Sequence, residues 1–188
     1  MRPKNHGMSL FRATAAAATC CVLATGCSPS FVGSAQPAGG ATNAVIVRVI
    51  DGDTADVRQD DRGRLRIRIL GINAPETHRK GWSVGCFGPE STTWAASFLP
   101  VGQRVSITGD PTQDATDRYG RTLAYIGMPD GRDFSMESVR AGMSKVVTYG
   151  KRPVERFDDL AAAEAAAKDQ HTGLWGAPCW GNTDSVPV

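Results

Sequence analysis

Two side chains of opposite charge lie close together at the end of one predicted strand. Residues 64–70 alternate arginine with aliphatic residues, and this period of two predicts a strand with its arginines on one face. The chain then turns through Ala74 and Pro75, which brings Glu76 back toward Arg68. A guanidinium binds phosphate oxygens well, and a carboxylate can act as a base. We therefore look for chemistry at this corner.

An acidic turn precedes that strand. Residues 45–50 form a β-branched run that predicts a first strand. Asp51, Gly52 and Asp53 then turn or bulge the chain, which continues extended to residue 58. Runs of Asp-Gly-Asp are usually only turns. This turn is nevertheless a candidate part of a functional site, because a hairpin would place it beside the arginine strand.

The other periodic segments predict a small barrel with helices at its side. Alternating apolar residues predict strands at 103–108, 121–126 and 145–147. Helix signals predict helices at 89–99, 136–141 and 153–169, the second of them capped by Ser135. The predicted fold class is therefore α+β, mainly β: a five-stranded, OB-fold-like antiparallel barrel with about three flanking helices.

The N-terminus has the pattern of an export signal. An alanine-rich apolar run from Ala13 to Leu23 follows Arg12 and is too short to span a bilayer as a helix. Small residues then precede Cys27, which resembles a bacterial lipoprotein signal in which that cysteine is lipidated. Residues 1–26 are predicted to be a cleaved signal peptide, which leaves lipid anchoring to the membrane and plain secretion as two alternatives.

Composition divides the rest of the chain into a tether, one domain and a tail. Residues 27–43 are rich in Gly, Ala, Ser and Pro without a hydrophobic period, which predicts a flexible tether. Residues 44–180 are long enough to form one stable core, and residues 181–188 are predicted to be a C-terminal tail.

The charge balance excludes a strongly basic protein once the leader is removed. The whole chain has a formal net charge of +2. The first 26 residues contain three basic and no acidic side chains, so the rest of the chain has 18 basic and 19 acidic residues. Any affinity for nucleic acid must therefore come from the local placement of arginines.

Two cysteines, Cys86 and Cys179, remain outside the leader and the Cys27 position. In an exported protein a lone pair most simply forms a disulfide, and two unpaired buried thiols are the alternative. With so few thiols and three histidines, a site of the zinc type is not expected.

The ordered set of motifs resembles the staphylococcal nuclease (thermonuclease) family over about residues 44–176. Each motif alone is weak, but five in the right order are specific. They are Ile50-Asp51-Gly52-Asp53-Thr54, the run from Arg68 to Thr77, Gly88-Pro89-Glu90, the run from Asp117 to Arg121, and Gly173-Leu174-Trp175.

The resemblance implies an enzyme that cleaves DNA and RNA with one Ca²⁺ and leaves 3′-phosphates. Position by position, it implies that Asp53 and the carbonyl of Ala74 are calcium ligands. Glu76 would be the general base, and Arg68 and Arg121 would bind the scissile phosphate. These residue types suit the reaction, because guanidiniums and a hard cation stabilise charge on phosphoryl oxygens.

One departure from the family pattern concerns the metal. Asn73 stands where the family usually has a second calcium carboxylate. An amide oxygen still ligates Ca²⁺, so Asn73 is retained as a predicted ligand, but the site loses a negative charge. We expect calcium binding in the millimolar range.

Substrate contacts are predicted at Arg118, Tyr119 and Tyr149, which match family positions near the nucleotide. For Tyr149, packing is an equally good interpretation. The remaining arginines of the strand are interpreted mainly as its solvent face, with loose nucleic-acid steering as the alternative. His78 is interpreted as a surface loop residue.

The sequence thus predicts an exported, Ca²⁺-dependent, monomeric nuclease of low sequence specificity, acting on single-stranded or locally unpaired DNA and RNA. A binding module of the same fold that holds nucleic acid without cutting it is one alternative. A structural surface lipoprotein is another, but it leaves the five motifs unexplained. Retention of Arg68, Glu76 and Arg121 favours the enzyme, because a pure binder does not need all three.

Overall fold

The computed structural model describes residues 41–188. The predicted signal peptide, the lipidation site Cys27 and nearly all of the predicted tether lie outside this range. The described elements, in chain order, are the strands and helices β1 (Ala44–Asp51), β2 (Thr54–Gln59), β3 (Gly63–Ile69), β4 (Ile72–Asn73), α1 (Gly88–Phe98), β5 (Arg104–Thr108), β6 (Thr122–Gly127), α2 (Phe134–Arg140), β7 (Lys145–Val146) and α3 (Phe157–Asp169), followed by a 3₁₀ turn at Gly173–Trp175.

The first three strands form an antiparallel meander. In the register of β1, β2 and β3, Ile46 lies opposite Val57, and Ala55 lies opposite Ile67. These aliphatic side chains are at most 1% exposed, whereas arginines alternate with them on the outer face. The period of two in the sequence therefore places one face of each strand in the core.

Five strands close into a barrel in the order β1-β2-β3-β6-β5. Four of its pairings are antiparallel, and β3 pairs with β6 in parallel. The predicted OB-fold-like barrel with three helices is confirmed, but an antiparallel arrangement throughout is not found. A closed ring with an odd number of strands cannot alternate direction at every pairing, so one parallel pair is required.

The helices α1 and α2 pack against β1 and β6 of the barrel. The structure differs from the prediction in the cap of α2 and in the start of α3. The second helix, α2, is capped by Asp133, whose carboxylate accepts a hydrogen bond from the amide of Met136 at 3.0 Å. Ser135, the predicted cap, instead donates to the carbonyl of Leu70 at 2.9 Å and so attaches the helix to the end of β3. The third helix begins at Phe157, four residues later than predicted, after a turn that follows Pro153.

An aromatic cluster joins α1 to α2. The ring of Trp94 stacks on Phe98 with centroids 5.1 Å apart, and both rings contact Phe134. Phe134 is fully buried, so this contact extends the barrel core between the two helices.

The C-terminal segment is attached to the loop that follows the Arg68–Glu76 corner. A disulfide joins Cys86 and Cys179 across 93 positions of sequence. Beyond it, the amide of Ser83 donates to Val186 at 2.7 Å, and Trp82 forms a β-bridge with Pro187. The last three residues, 186–188, which belong to the predicted tail, therefore pair with residues 81–83.

Within residues 41–188, none of the helices combines the length and the apolar character needed to cross a bilayer.

Candidate active site

A polar cleft of about 580 Å³ lies where β1, β3 and β4 meet the loops that follow them. Its walls come from five separate parts of the chain, since residues near 51, 73, 121, 145 and 184 all contribute. The lining residues are Asp51, Asp53, Arg68, Asn73, Ala74, Pro75, Glu76, Arg79, Arg121, Lys145, Tyr149, Thr183, Asp184 and Ser185.

Two glycines permit the backbone to form this cleft. Gly71 follows β3 with φ +78°, a left-handed conformation that side-chain-bearing residues rarely adopt. A Cβ at Gly52 would collide with the hydroxyl of Ser91 and the methyl group of Ala74. The acidic turn can therefore pack tightly against the Ala74 corner and against α1.

Asp53 lies at the centre of a buried hydrogen-bond network. It is 7% exposed, and its Oδ2 atom accepts a hydrogen bond from the amide of Ala74 at 2.8 Å. The same oxygen lies 3.1 Å from the guanidinium of Arg68, while Oδ1 accepts from the hydroxyl of Thr54 at 3.0 Å. The network ties the acidic turn, the arginine strand and β4 together.

Arg68 is buried, with only 5% of the residue exposed. Its Nη1 donates to the carbonyls of Ile69 and Ile72 at 2.8 and 2.9 Å, which fixes the plane of the guanidinium. Its Nη2 donates to the amide oxygen of Asn73 at 3.2 Å and to the hydroxyl of Tyr149 at 2.7 Å. The charged end of Arg68 is thus held at the cleft in a single orientation.

Asp51 adds a second carboxyl group beside Asp53. Its Oδ1 accepts a hydrogen bond from the amide of Asp53 at 3.0 Å. Burial, together with the neighbouring charge of Asp53, raises the pKa of Asp51 to about 6. The turn therefore concentrates negative charge at one end of the cleft, close to the cation of Arg68.

Glu76 is held by its own loop. Its Oε1 accepts hydrogen bonds from the amides of Thr77 and His78, at 2.8 and 2.7 Å. The carbonyl of Glu76 also accepts from the amide of Gly85 at 2.7 Å, so the loop closes back on itself next to the disulfide. Among the described residues, no hydrogen-bond donor contacts its other carboxylate oxygen, and the side chain borders the cleft.

Arg121 approaches the cleft from the loop before β6. Its Nε donates to Asp117 at 2.7 Å, and its amide donates to the same carboxylate at 3.0 Å. Burial would raise the pKa of Asp117, but the hydrogen bonds from Arg121 outweigh it and lower that pKa. Because 29% of the Arg121 side chain is exposed, the remaining guanidinium donors face solvent at the mouth of the cleft.

Tyr119 projects from the same loop. It is 68% exposed, and the guanidiniums of Arg118 and Arg121 lie 4.8 and 5.5 Å from the centre of its ring. Arg118 also donates to the Tyr119 hydroxyl at 2.6 Å. An exposed aromatic ring flanked by two cations presents both a stacking surface and positive charge.

Comparison with known proteins identifies the family of this chain. Residues 66–177, more than half of the chain, match the family model described as staphylococcal nuclease homologue. The chain belongs to the staphylococcal nuclease family. Three of the five sequence motifs contribute residues to the cleft, through Asp53, Glu76 and Arg121 among others. The prediction of a nuclease-type hydrolase is confirmed.

Proteins named as endonucleases or thermonucleases share most of their length with this chain. An uncharacterized endonuclease of Escherichia coli O157:H7 is 36% identical over 143 residues, which cover 76% of this chain and 79% of that protein. The thermonuclease of Staphylococcus intermedius is 29% identical over 132 residues, covering 70% and 74%. The thermonuclease of Staphylococcus hyicus is 30% identical over 132 residues, covering 69% and 73%.

Most of the site residues predicted from sequence line this nuclease-family cleft. Arg68, Glu76 and Arg121 do so, as do Asp53, Asn73, Ala74 and Tyr149. Tyr149, for which packing was the alternative, is 51% exposed and contacts Arg68 through its hydroxyl. Arg118 and Tyr119 border an adjoining depression that also contains Glu76 and Arg121. Their roles in catalysis and binding stay predictions.

Five residues of the cleft were not predicted from the sequence: Arg79, Lys145, Thr183, Asp184 and Ser185. Asp184 lies 131 positions from Asp53 and belongs to the segment predicted as a tail. The disulfide between Cys86 and Cys179 is the one signal in the sequence that could have located this segment, because it brings the C-terminus beside the Glu76 loop.

Proposed function

We propose that this protein is an exported, Ca²⁺-dependent nuclease that hydrolyses phosphodiester bonds of DNA and RNA with low sequence specificity. The observation that carries the proposal is that Arg68, Glu76 and Arg121 border one polar cleft, although they come from β3 and two separate loops. Two guanidiniums and a carboxylate that border the same cleft suit attack on an anionic phosphodiester.

The two arginines are suited to stabilise the negative charge that gathers on the phosphoryl oxygens. Arg68 is orientated by two backbone carbonyls and Arg121 by Asp117, so their geometry is set before a substrate arrives. Preorganised charge of this kind lowers a barrier more than flexible charge does, because little reorganisation is needed in the transition state. Within residues 41–188 the Nη atoms of Arg121 have no hydrogen-bond acceptor, so they can donate to two phosphate oxygens at once. Arg68 would exchange its contacts with Asn73 and Tyr149 for contacts with the phosphate.

Glu76 is the candidate general base. The amides of Thr77 and His78 hold one carboxylate oxygen. Because the carboxylate group is planar, this also fixes the direction of the second oxygen, which can accept a proton from water. His78, which follows this corner in the sequence, contacts the carbonyl of Ile50 through its Nε2 atom at 3.1 Å, and the proposed role of Glu76 does not use it.

The residues at the acidic end fit a calcium ion. Within residues 41–188, no three His, Cys, Asp or Glu side chains converge on one point, so an ion must also use neutral oxygens. Asp53, Asn73 and the carbonyl of Ala74 are the proposed ligands, with Asp51 adjacent. Ca²⁺ accepts carboxylate, amide, carbonyl and water oxygens in irregular geometry. When bound, it would supply positive charge beside the phosphate and make a bound water more acidic.

Low base specificity follows from the kind of contacts offered. The cleft presents charged groups that recognise the phosphate, and Tyr119 and Tyr149 present aromatic rings at its edge. Stacking on an aromatic ring tolerates any base, and it requires the base to be unpaired. We therefore propose single-stranded or locally unpaired DNA and RNA as substrates, with 3′-phosphates as products, and a monomer as the acting form.

A titration of Ca²⁺ against cleavage of labelled single-stranded DNA tests the proposal. The purified chain, with its disulfide formed, is compared with Glu76→Gln and with Glu90→Gln. Glu90 is an exposed residue in the first turn of α1 and serves as the matched control. We expect calcium-dependent cutting that falls by at least about a hundredfold in Glu76→Gln and is unchanged in Glu90→Gln.

A binding module that does not cut is the second candidate, and Asn73 is the observation that favours it, because it removes a carboxylate from the predicted metal site. DNA binding without cutting at every Ca²⁺ concentration, with 3′-phosphate ends never formed, would select this candidate. Cutting that is equal in Glu76→Gln would contradict the proposed role of Glu76 while leaving the nuclease intact.

Export with a lipid on Cys27 is the proposed route to the cell envelope. It rests on the sequence of the leader, which lies outside the described residues. Cys27→Ala expressed in a bacterial host should move the protein from the membrane fraction to the soluble exported fraction. Equal distribution of the two forms would favour plain secretion.

A further inference from the structure

A group of arginines outside the cleft shares one buried carboxylate. Asp56 on β2 is 3% exposed, and its oxygens accept hydrogen bonds from Arg48, Arg64 and Arg66 at 2.9, 3.0 and 2.8 Å. The hydrogen bonds from Arg66 are the largest influence on this carboxyl group and hold its pKa far below the ordinary value. The carboxylate is therefore ionised at any physiological pH.

Strand register places this group on the outer face of the barrel, next to the cleft. Arg48 on β1 and Arg66 on β3 lie directly opposite Asp56 in the two ladders. Arg66 precedes Arg68 by two residues, so both project from the same face, about 7 Å apart along the strand. The surface that carries the proposed phosphate-binding arginine of the cleft thus continues into this group.

The charges in the group do not balance. Three guanidiniums around one carboxylate leave a net charge of +2, and one arginine would be enough to satisfy Asp56. The side chains of Arg48, Arg64 and Arg66 remain 55%, 61% and 46% exposed. Asp56 therefore holds three mutually repelling cations in place with most of their donors facing solvent, an arrangement suited to binding anions.

The group is continuous with the mouth of the cleft. The three arginines border a surface depression whose other side is formed by Tyr119, Gly120 and Arg121. Arg121 also lines the cleft itself. A strand that passes from the cleft over Arg121 therefore meets these arginines next, and Tyr119 offers an aromatic surface for an unpaired base at the crossing point.

We propose that Arg48, Arg64 and Arg66, organised by Asp56, form an arginine platform that binds the phosphates of a single-stranded nucleic acid beyond the bond that is cut. The inference rests on the proposed function for the identity of the substrate, and it adds a second binding surface outside the cleft. The platform contributes to the affinity for long strands, because each phosphate it neutralises releases counterions. A dinucleotide, which reaches only the cleft, gains nothing from it.

Equilibrium binding by strands of two lengths tests the platform. Fluorescence anisotropy is measured in the Glu76→Gln chain with a labelled dinucleotide and with oligothymidine of about 16 nucleotides, the upper site size of one OB-fold. The platform variant is Arg48→Gln/Asp56→Asn/Arg64→Gln/Arg66→Gln. Changing Asp56 together with its partners avoids leaving a buried, unpaired carboxylate. Circular dichroism confirms that the variant is folded.

A matched control removes the same net charge of +2 elsewhere. Arg132 and Arg140 are exposed, pair with Asp130 and Glu137, and border a different depression next to α2. The Arg132→Gln/Arg140→Gln variant therefore reports the effect of global charge alone.

The platform variant should bind the long strand at least about tenfold more weakly at low salt. The slope of log K against log salt concentration should become shallower by about 1.4, which is about 0.7 for each of two lost phosphate contacts. Dinucleotide binding and the control variant should be unchanged. Equal weakening for both lengths, an effect matched by the control, or no binding of either strand to the parent chain would overturn the platform. If the Glu76→Gln chain binds the long strand through the platform but the unchanged chain never cuts DNA, the platform is retained and the proposed nuclease is rejected.

Discussion

At the residue scale, Asn73 is the position that sets this chain apart from its family pattern. Its amide oxygen accepts a hydrogen bond from Arg68 at 3.2 Å, a role that a carboxylate oxygen would fill equally well. The neutral side chain lowers the negative charge of the proposed calcium site, while the interaction with Arg68 is retained. Asn73 therefore weakens the electrostatic attraction for a cation without disturbing the orientation of the arginine.

Restoring the charge tests this interpretation. We expect Asn73→Asp to bind Ca²⁺ about tenfold more tightly, because the number of charged ligands tunes calcium affinity over orders of magnitude. Isothermal titration calorimetry measures the change directly, and the midpoint of calcium-dependent cleavage should fall in parallel. Gln170→Glu, which makes the same chemical change at the exposed end of α3, should leave the affinity unaltered. Unchanged affinity in Asn73→Asp would remove position 73 from the ligand set.

At the element scale, Asp110 connects the segment after β5 to β6 and to the segment before α3. The carboxylate lies just beyond β5 and accepts hydrogen bonds from the Tyr125 hydroxyl of β6 at 2.6 Å and from the Glu155 amide before α3 at 2.8 Å. Thr112 donates to its other oxygen. Burial alone would raise the pKa of Asp110, but these hydrogen bonds outweigh it and lower the pKa to about 2.

A lowered pKa makes Asp110 a source of stability that depends on pH. The carboxylate stabilises the folded state above the ordinary pKa of 3.8, and this contribution is lost as the pH falls from about 4 toward about 2. We expect Asp110→Asn to lower the free energy of unfolding at pH 7 by about 2 kcal/mol, with the difference from the parent shrinking below about pH 4.

Urea denaturation across this pH range is the measurement. Asp61→Asn, in the exposed turn between β2 and β3, is the control and should follow the parent curve at every pH. A difference between Asp110→Asn and the parent that is constant down to about pH 3 would show that the carboxylate charge is not the stabilising feature.

At the scale of the whole molecule, the disulfide joins the site loop to the end of the chain. Cys86 lies in the loop between Glu76 and α1, and Cys179 follows the 3₁₀ turn. The segment beyond Cys179 then forms one wall of the cleft through Thr183, Asp184 and Ser185. The bridge thus limits how far this wall can move from the proposed base.

We expect Cys86→Ala/Cys179→Ala to lower the free energy of unfolding by about 4 kcal/mol. The disulfide closes a loop of 93 positions, and a cross-link across so long a loop strongly reduces the conformational entropy of the unfolded chain. Urea denaturation with and without a reducing agent measures the effect. The reductant should destabilise the parent chain and leave the double variant unchanged. A parent chain insensitive to complete reduction would show that the bridge adds no stability.

Local sequence was enough to predict the barrel class, the three helices and the Arg68–Glu76 corner. Alternation in residues 45–69 encodes which face of β1, β2 and β3 is buried, and glycine and proline mark the turns between elements. Helix starts were less predictable, because Ser135 and Asp133 are both acceptable caps and only the packing of α2 against Leu70 decides between them.

By itself, the sequence determined the strand periodicity, the pair of cysteines and the motifs that identify the nuclease family, because each depends on residue type and short-range spacing. Tertiary structure decided which distant groups meet. It placed Asp184 in the cleft with Asp53, gathered three arginines on Asp56 and required β3 and β6 to run in parallel. These outcomes follow from barrel closure and strand register, which bring together side chains that no local pattern relates.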